Sequence, residues 1–225
     1  MSEDWFAAIL RLHIFAGAVA LGVLAVPYLS KKGGRVHRRS GWIFALSMAA
    51  VGTSAWLLSL GRLSDGDPRN NEAAWFLAHV GVFSTTSVWA GARSLRRQRK
   101  TRARDHGGDA AVAAVLLCSS LALGGYGLAC GEVLMLVFSA LGLFTAIPQL
   151  RFWLGPYRDD QAWLVQHLSS MSNGAISAIT AFFVVNVQRW GWGDYQLLFW
   201  IVPGLVGGSA VTFYASRLSR PKSFI

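Results

Sequence analysis

Charged residues are scarce in this sequence, at 14% of 225 residues, and acidic ones are scarcer still, with 11 Asp and Glu against 21 Lys and Arg. The only two cysteines, Cys118 and Cys130, lie about 18 Å apart along one predicted helix, which is too far for a disulfide. No Gly/Ser linker or low-complexity tract interrupts the chain. These shortages exclude a disulfide-stapled fold and argue against several linked domains, so we predict one domain over residues 1–225.

The sequence also lacks the short motifs of common soluble enzymes. It contains no phosphate-binding Gly-x4-Gly-Lys-Ser/Thr, no His-Glu-x2-His, no Cys-x2-Cys and no Gly-x-Ser-x-Gly. Asp159 and Asp160 stand alone, so the Asp-rich diphosphate motif of prenyltransferase-like enzymes is missing as well. No nucleotide cofactor is therefore expected.

What the chain does have is seven apolar runs, each long enough to cross about 30 Å of hydrocarbon at about 1.5 Å per helical residue. Because the runs are apolar or small on all sides, they predict an all-α, polytopic membrane bundle of seven transmembrane helices. Almost nothing is left over for a separate domain. The predicted runs are Trp5–Leu29, Gly41–Gly61, Ala73–Leu95, Ala110–Ala129, Val133–Leu154, Ala162–Val187 and Tyr195–Ser216.

Lysine and arginine are concentrated in alternate loops, which predicts the orientation of the bundle. The segments 31–39 and 93–104, the positions Arg151 and Arg158, and the tail after Ser216 together hold 17 of the 21 basic residues. This side should be cytoplasmic, with the N-terminus outside and the C-terminus inside. The net charge of +10 then reflects topology and attraction to the lipid bilayer, and no nucleic-acid partner is expected.

Polar residues within spanning helices are costly to bury and are therefore candidates for function. His13 and His79 are predicted at similar depths near the outer ends of the first and third helices. His37 is predicted just before the second helix, and His167 within the sixth, both near the inner surface. His106 falls in a basic loop and is predicted to be solvated.

Two histidine pairs at two depths are what a transmembrane electron carrier with two b-type haems would need, with His13/His79 and His37/His167 as axial ligands. The same imidazoles would suit a divalent-metal site, with His13, His37 and His167 as candidate ligands. A third interpretation is that the histidines only form hydrogen bonds between helices.

Small residues lie beside these histidines at helical spacing. His167, Ser170, Gly174 and Ser177 share one face of the sixth helix, and Gly17 shares a face with His13. Such positions could line a cofactor slot, or they could let neighbouring helices pack closely.

A family resemblance rests on three motifs of this chain: His13-x3-Gly17, His37-Arg38-x2-Gly41 and Trp163-x3-His167-x3-Met171. Together with the stretch Thr180–Asn186, they resemble a group of predicted bacterial integral membrane proteins classed as a domain of unknown function. The resemblance implies a multi-pass protein of the bacterial cytoplasmic membrane and no established reaction. A fainter similarity is to di-haem membrane cytochromes b, although those carry two histidines on single helices.

The sequence therefore supports three functional hypotheses. The first is a redox or metal-linked membrane protein that holds haem b or a divalent metal and exchanges electrons with a quinone or another lipophilic small molecule. The second is a non-haem membrane enzyme or transporter in which His13 and His167 transfer protons. The third is a structural accessory subunit.

Overall fold

The structure is a computed structural model that describes residues 3–64, 68–97, 106–156 and 161–218. The described part is helical, with a single 3-10 turn at Gly193–Tyr195 and no strand. Its helices are α1 (Glu3–Val23), α2 (Ala25–Leu29), α3 (Arg35–Leu63), α4 (Pro68–Arg97), α5 (Gly107–Cys130), α6 (Val133–Leu154), α7 (Ala162–Val187) and α8 (Gln196–Leu218).

Six helical segments of the described chain are long and apolar enough to cross a membrane, with α1 and α2 counted as one segment over Asp4–Leu29. They confirm six of the seven predicted spans. The remaining helix, α4, has 30 residues but is too polar to meet the same criterion. Its polar side chains, among them His79, Ser84, Thr86 and Ser87, are buried against other helices.

The position of α4 explains its polarity. It packs against α3, α5, α6 and α7, so many of its polar side chains face protein rather than lipid. The outer helices show the opposite pattern, because large apolar side chains such as Phe15, Phe144 and Val206 are exposed. In a bilayer those side chains contact lipid, whereas the polar groups of α4 are shielded from it.

The helix boundaries differ from the predicted runs at two functional positions. Helix α3 begins at Arg35 and not at Gly41, so His37 lies in its first turn instead of preceding it. Helix α5 begins at Gly107, directly after His106. The basic residues that precede α5, at positions 98–105, lie outside the described residues. Polar residues extend both helices beyond the predicted apolar runs, because the backbone hydrogen bonds of a helix do not require apolar side chains.

A tight connection joins α5 to α6. Gly131 adopts a left-handed conformation, φ 75°, which ends α5 and lets α6 begin two residues later. The two cysteines, Cys118 and Cys130, are both free, as their predicted separation requires.

The end of the bundle that carries Lys31, Lys32, Arg35, Arg93 and Arg151 is called the basic end below. The chain reaches it between α2 and α3, after α4, before α5 and after α6.

Candidate functional site

Two of the predicted histidines lie together at the basic end. The ring centroids of His37 on α3 and His167 on α7 are 6.3 Å apart, and the ring planes are inclined by 61°. Both rings are partly buried. The structure thus brings together one of the two pairs that the sequence suggested.

His37 is oriented by the end of α2. Its Nδ1 lies 3.0 Å from the carbonyl oxygen of Pro27. This carbonyl belongs to the last turn of a helix, where carbonyls have no intrahelical donor. The same oxygen also accepts a hydrogen bond from Lys32 Nζ at 2.8 Å, and Lys32 bonds the carbonyl of Tyr28 at 2.7 Å. Lys32 therefore holds the turn that positions His37.

His167 is oriented by α4. Its Nδ1 lies 2.8 Å from the carbonyl oxygen of Gly91. The contact depends on a close approach of the two helices, because a Cβ added at Gly91 would come within 2.7 Å of the Met171 side chain and 3.1 Å of its backbone nitrogen. Met171 is one turn beyond His167 on the same face of α7. Only glycine leaves room for this approach.

The two hydrogen bonds fix the chemistry of both rings. A carbonyl oxygen only accepts, so Nδ1 of His37 and of His167 must carry the proton and donate it. In a neutral imidazole the other nitrogen, Nε2, then has a free lone pair. Metal-binding histidines have this arrangement, with the distal nitrogen held by a backbone carbonyl and the other one presented to the metal.

The histidine pair occupies a space between α3 and α7. Both helices pack closely on α4, but they barely approach each other. Further into the bundle this space is filled by an apolar cluster that includes Phe44, Met48 and Ala175. A ligand held by the histidines would lie between this cluster and the basic end.

The small-residue stripe on α7 serves helix packing. A Cβ added at Gly174 would lie 2.6 Å from Val88 on α4, so that position is already filled by a neighbouring side chain. The Ser170 hydroxyl is buried and accepts a hydrogen bond from Gln166, and Ser177 bonds the Asn173 carbonyl within its own helix. In this structure Ser170 and Gly174 therefore face neighbouring groups of the protein.

The other two histidines point to different neighbours. His13 Nδ1 lies 3.1 Å from the Val51 carbonyl and 2.9 Å from Ser54 Oγ, both on α3. His79 is buried, and its Nδ1 lies 2.9 Å from Ser119 Oγ on α5. His13 on α1 faces α3, whereas His79 on α4 faces α5, so the structure does not bring His13 and His79 together.

Gly17, the predicted neighbour of His13, also faces α3. A Cβ added there would lie 3.9 Å from the Val51 side chain, which is an ordinary van der Waals contact. The space beside His13 is therefore bounded by a neighbouring helix, and an alanine would fit at this position.

A second polar cluster at the basic end was not anticipated from the sequence. Asp109 on α5 is buried and binds Arg93 through two hydrogen bonds, at 2.7 and 3.0 Å, and the indole nitrogen of Trp89 at 3.0 Å. His106 Nδ1 lies 3.4 Å from the same carboxylate, and its ring centroid lies 5.3 Å from that of Trp153 with the planes inclined by 40°. The prediction that His106 is solvated is wrong, because only 4% of it is exposed.

One signal for this cluster was present in the sequence. Asp109 is the only acidic residue within the α5 segment, and an acid next to an apolar run needs a partner. The partner could not be identified because Arg93 is one of seven basic residues between positions 93 and 104.

Comparison with known proteins gives no relative for this chain: no family model, no curated protein and no solved structure matches it. The resemblance to a family of predicted bacterial membrane proteins therefore stays a prediction. Among the described residues there is also no group of three or more His, Cys, Asp and Glu side chains that could hold a metal ion.

Proposed function

We propose that His37 and His167 are the two axial ligands of one haem b at the basic end of a membrane-embedded bundle, and that the protein takes part in electron transfer there. The observation that carries the proposal is the paired geometry: two imidazoles on different helices, each with Nδ1 bound to a carbonyl and Nε2 left to bind a metal. No other two histidines of the described chain are paired in this way.

The spacing of the rings supports a shared metal ion. Two imidazoles bound at about 2.0 Å on opposite sides of one ion have ring centroids roughly 6 Å apart. The centroids of His37 and His167 are 6.3 Å apart. The separation of the two rings is therefore compatible with binding to one ion.

The number of protein ligands favours haem over a bare divalent ion. A structural zinc site takes four protein ligands and a catalytic one takes three. The described residues offer two histidines and no third His, Cys, Asp or Glu beside them. A haem iron receives four nitrogens from its macrocycle and needs only two imidazoles from the protein. A bare divalent metal is therefore the second candidate for the same residues.

We further propose that the basic end faces the cytoplasm of a bacterial cell, as the distribution of lysine and arginine predicts. The haem would then lie near the inner face of the cytoplasmic membrane. One site near one face does not span the bilayer, so its electron partner must reach that face. A quinone or another lipophilic small molecule dissolved in the bilayer would meet this requirement.

The test is an absorption spectrum of the full-length protein, purified in detergent from haem-replete cells and recorded oxidised and dithionite-reduced, with metal analysis on the same sample. We expect a Soret band and sharp reduced α-bands. His37→Ala and His167→Ala should lose both, whereas His13→Ala, which removes a partly buried histidine elsewhere, should keep them. Added imidazole should restore the spectrum of a His37→Gly variant.

Two results would overturn the haem assignment. A colourless wild-type protein that contains one equivalent of a divalent metal, lost in His37→Ala, would assign the site to that metal instead. A colourless and metal-free protein that also fails to bind added haemin would reject the redox function. Proton transfer by His13 and His167, or a purely structural role, would then be the hypotheses to pursue.

A further inference from the structure

The interface between α4 and α6 contains buried polar atoms that lack hydrogen-bond partners among the described residues. They are the hydroxyl oxygen of Ser87, both amide atoms of Gln149 and the indole nitrogen of Trp153. Ser87 and Trp153 are fully buried, and 2% of Gln149 is exposed. Gln149 and Trp153 are on α6, which carries neither His37 nor His167.

Helices α4 and α6 run parallel and in register, which places these residues at similar levels of the bundle. A Cβ added at Gly142 would lie 3.0 Å from the ring of His79, which places these two residues at one level. Closer to the basic end, Ala90 and Trp153 pack in one cluster with Ala110 and Ala113 of α5. Ser87 and Gln149 each lie about one helical turn before that cluster, so they belong to the same layer of the interface.

This layer continues to the surface at the basic end. The ring of Trp153 lies 5.3 Å from that of His106, and His106 lies 3.4 Å from the carboxylate of Asp109. Arg93, which binds the same carboxylate, has 26% of its side chain exposed. Polar groups thus form a series at successive levels from the surface to Gln149.

The series stops in the middle of the bundle. Val82 of α4, Leu116 of α5 and Ala146 of α6 pack together in an apolar layer. His79, with Ser119 and Ser139, lies on the far side of this layer. Polar groups therefore lie on both sides of a single layer of apolar side chains.

A buried amide or indole N–H without a partner is strongly destabilising, and proteins commonly satisfy such groups with ordered water. We propose that water molecules occupy the α4–α6 interface between Ser87, Gln149 and Trp153, and that they form a hydrated half-path for protons from the basic end to the apolar layer. Asp109 and His106, with Trp89, form the entrance of this path at the basic end. The proposal does not depend on haem or metal at the histidine pair.

Water-edited solid-state NMR of the full-length protein in lipid bilayers, with ¹⁵N-labelled tryptophan, tests this directly. The indole N–H of Trp153, assigned by its loss in Trp153→Phe, should receive magnetisation from water as rapidly as that of Trp89 at the entrance. Gln149→Leu should remove the transfer to Trp153 and leave that to Trp89 intact. The matched variant Gln166→Leu, which changes an amide bound to Ser170 on α7, should leave both unchanged.

The same sample, moved into D₂O, tests access from the surface. The Trp153 N–H should exchange for deuterium on the timescale of the Trp89 N–H. If the Trp153 N–H exchanged only when the whole protein unfolds, the water would be closed off from the surface, and the proposed path would be wrong. The proposal would be rejected if Trp153 of the wild type received no magnetisation from water and if Gln149→Leu or Ser87→Ala raised the Tm. Both results together would show that the interface is dry.

Discussion

The imidazoles of His37 and His167 lie 6.3 Å apart at the basic end, although 130 positions separate them in the sequence. Each ring is held through Nδ1 by a backbone carbonyl of a different helix, that of Pro27 for His37 and that of Gly91 for His167. Two helices besides α3 and α7, namely α2 and α4, therefore orient the pair. This relationship underlies the proposed haem site.

Lys32 is predicted to tune the site without touching the metal. Its ammonium shares the Pro27 carbonyl with His37, which draws electron density away from that hydrogen bond. Lys32→Met should weaken haemin binding about tenfold, within the range seen when an outer-shell partner is lost, and lower the midpoint potential. Haemin titration and potentiometry would measure the two effects.

Lys31→Met is the control for that prediction. It removes the same charge from an exposed side chain at the neighbouring position. If both variants shift the potential equally, the effect is that of surface charge and Lys32 has no particular role in positioning His37.

The buried Asp109 carboxylate is predicted to stabilise the fold. Asp109→Asn leaves Arg93 facing a neutral amide and should cost about 3 kcal/mol, as expected when one partner of a buried ion pair is removed. Thermal unfolding in detergent would measure the loss. Asp194→Asn, an exposed residue before α8, should change the stability by less than about 0.5 kcal/mol. Equal effects of the two variants would contradict the prediction.

Close packing at Gly174 predicts a second stability effect. In Gly174→Ala the new methyl group would meet Val88 at 2.6 Å, and such overpacking costs about 1–3 kcal/mol. Gly22→Ala on α1 would meet nothing within 4 Å and should be neutral or stabilising by up to about 1 kcal/mol. A Gly174→Ala protein as stable as the wild type would show that α4 and α7 can separate at little cost.

The predicted orientation can be tested with single cysteines in a Cys118→Ser/Cys130→Ser background. Lys31 and Ser64 are exposed and flank the two ends of α3. A membrane-impermeant maleimide should label Ser64→Cys in intact spheroplasts and Lys31→Cys only after permeabilisation, because the basic end is predicted to be cytoplasmic. The reverse pattern would invert the bundle.

Apolar run length was enough to predict six of the spanning helices, since crossing hydrocarbon requires long apolar segments whatever their neighbours are. The apolar run underestimated the length of α3, because polar residues can extend a helix beyond the hydrocarbon. The first turn of α3 contains Arg35 and His37. Run length could not show that α4 is enclosed by four other helices, and this enclosure is what makes its polar side chains tolerable.

For the candidate residues, the position of each polar group along its apolar run was enough to predict which end of the bundle it is near, because a helix rises by a fixed distance per residue. Which of these residues meet depends on tertiary packing. Helix rotation and neighbour identity are set by side-chain packing between distant segments, and they bring His37 to His167 while they turn His13 towards Ser54 and His79 towards Ser119. The same packing buried Asp109 and His106 with Arg93, which the local sequence of a basic loop could not reveal.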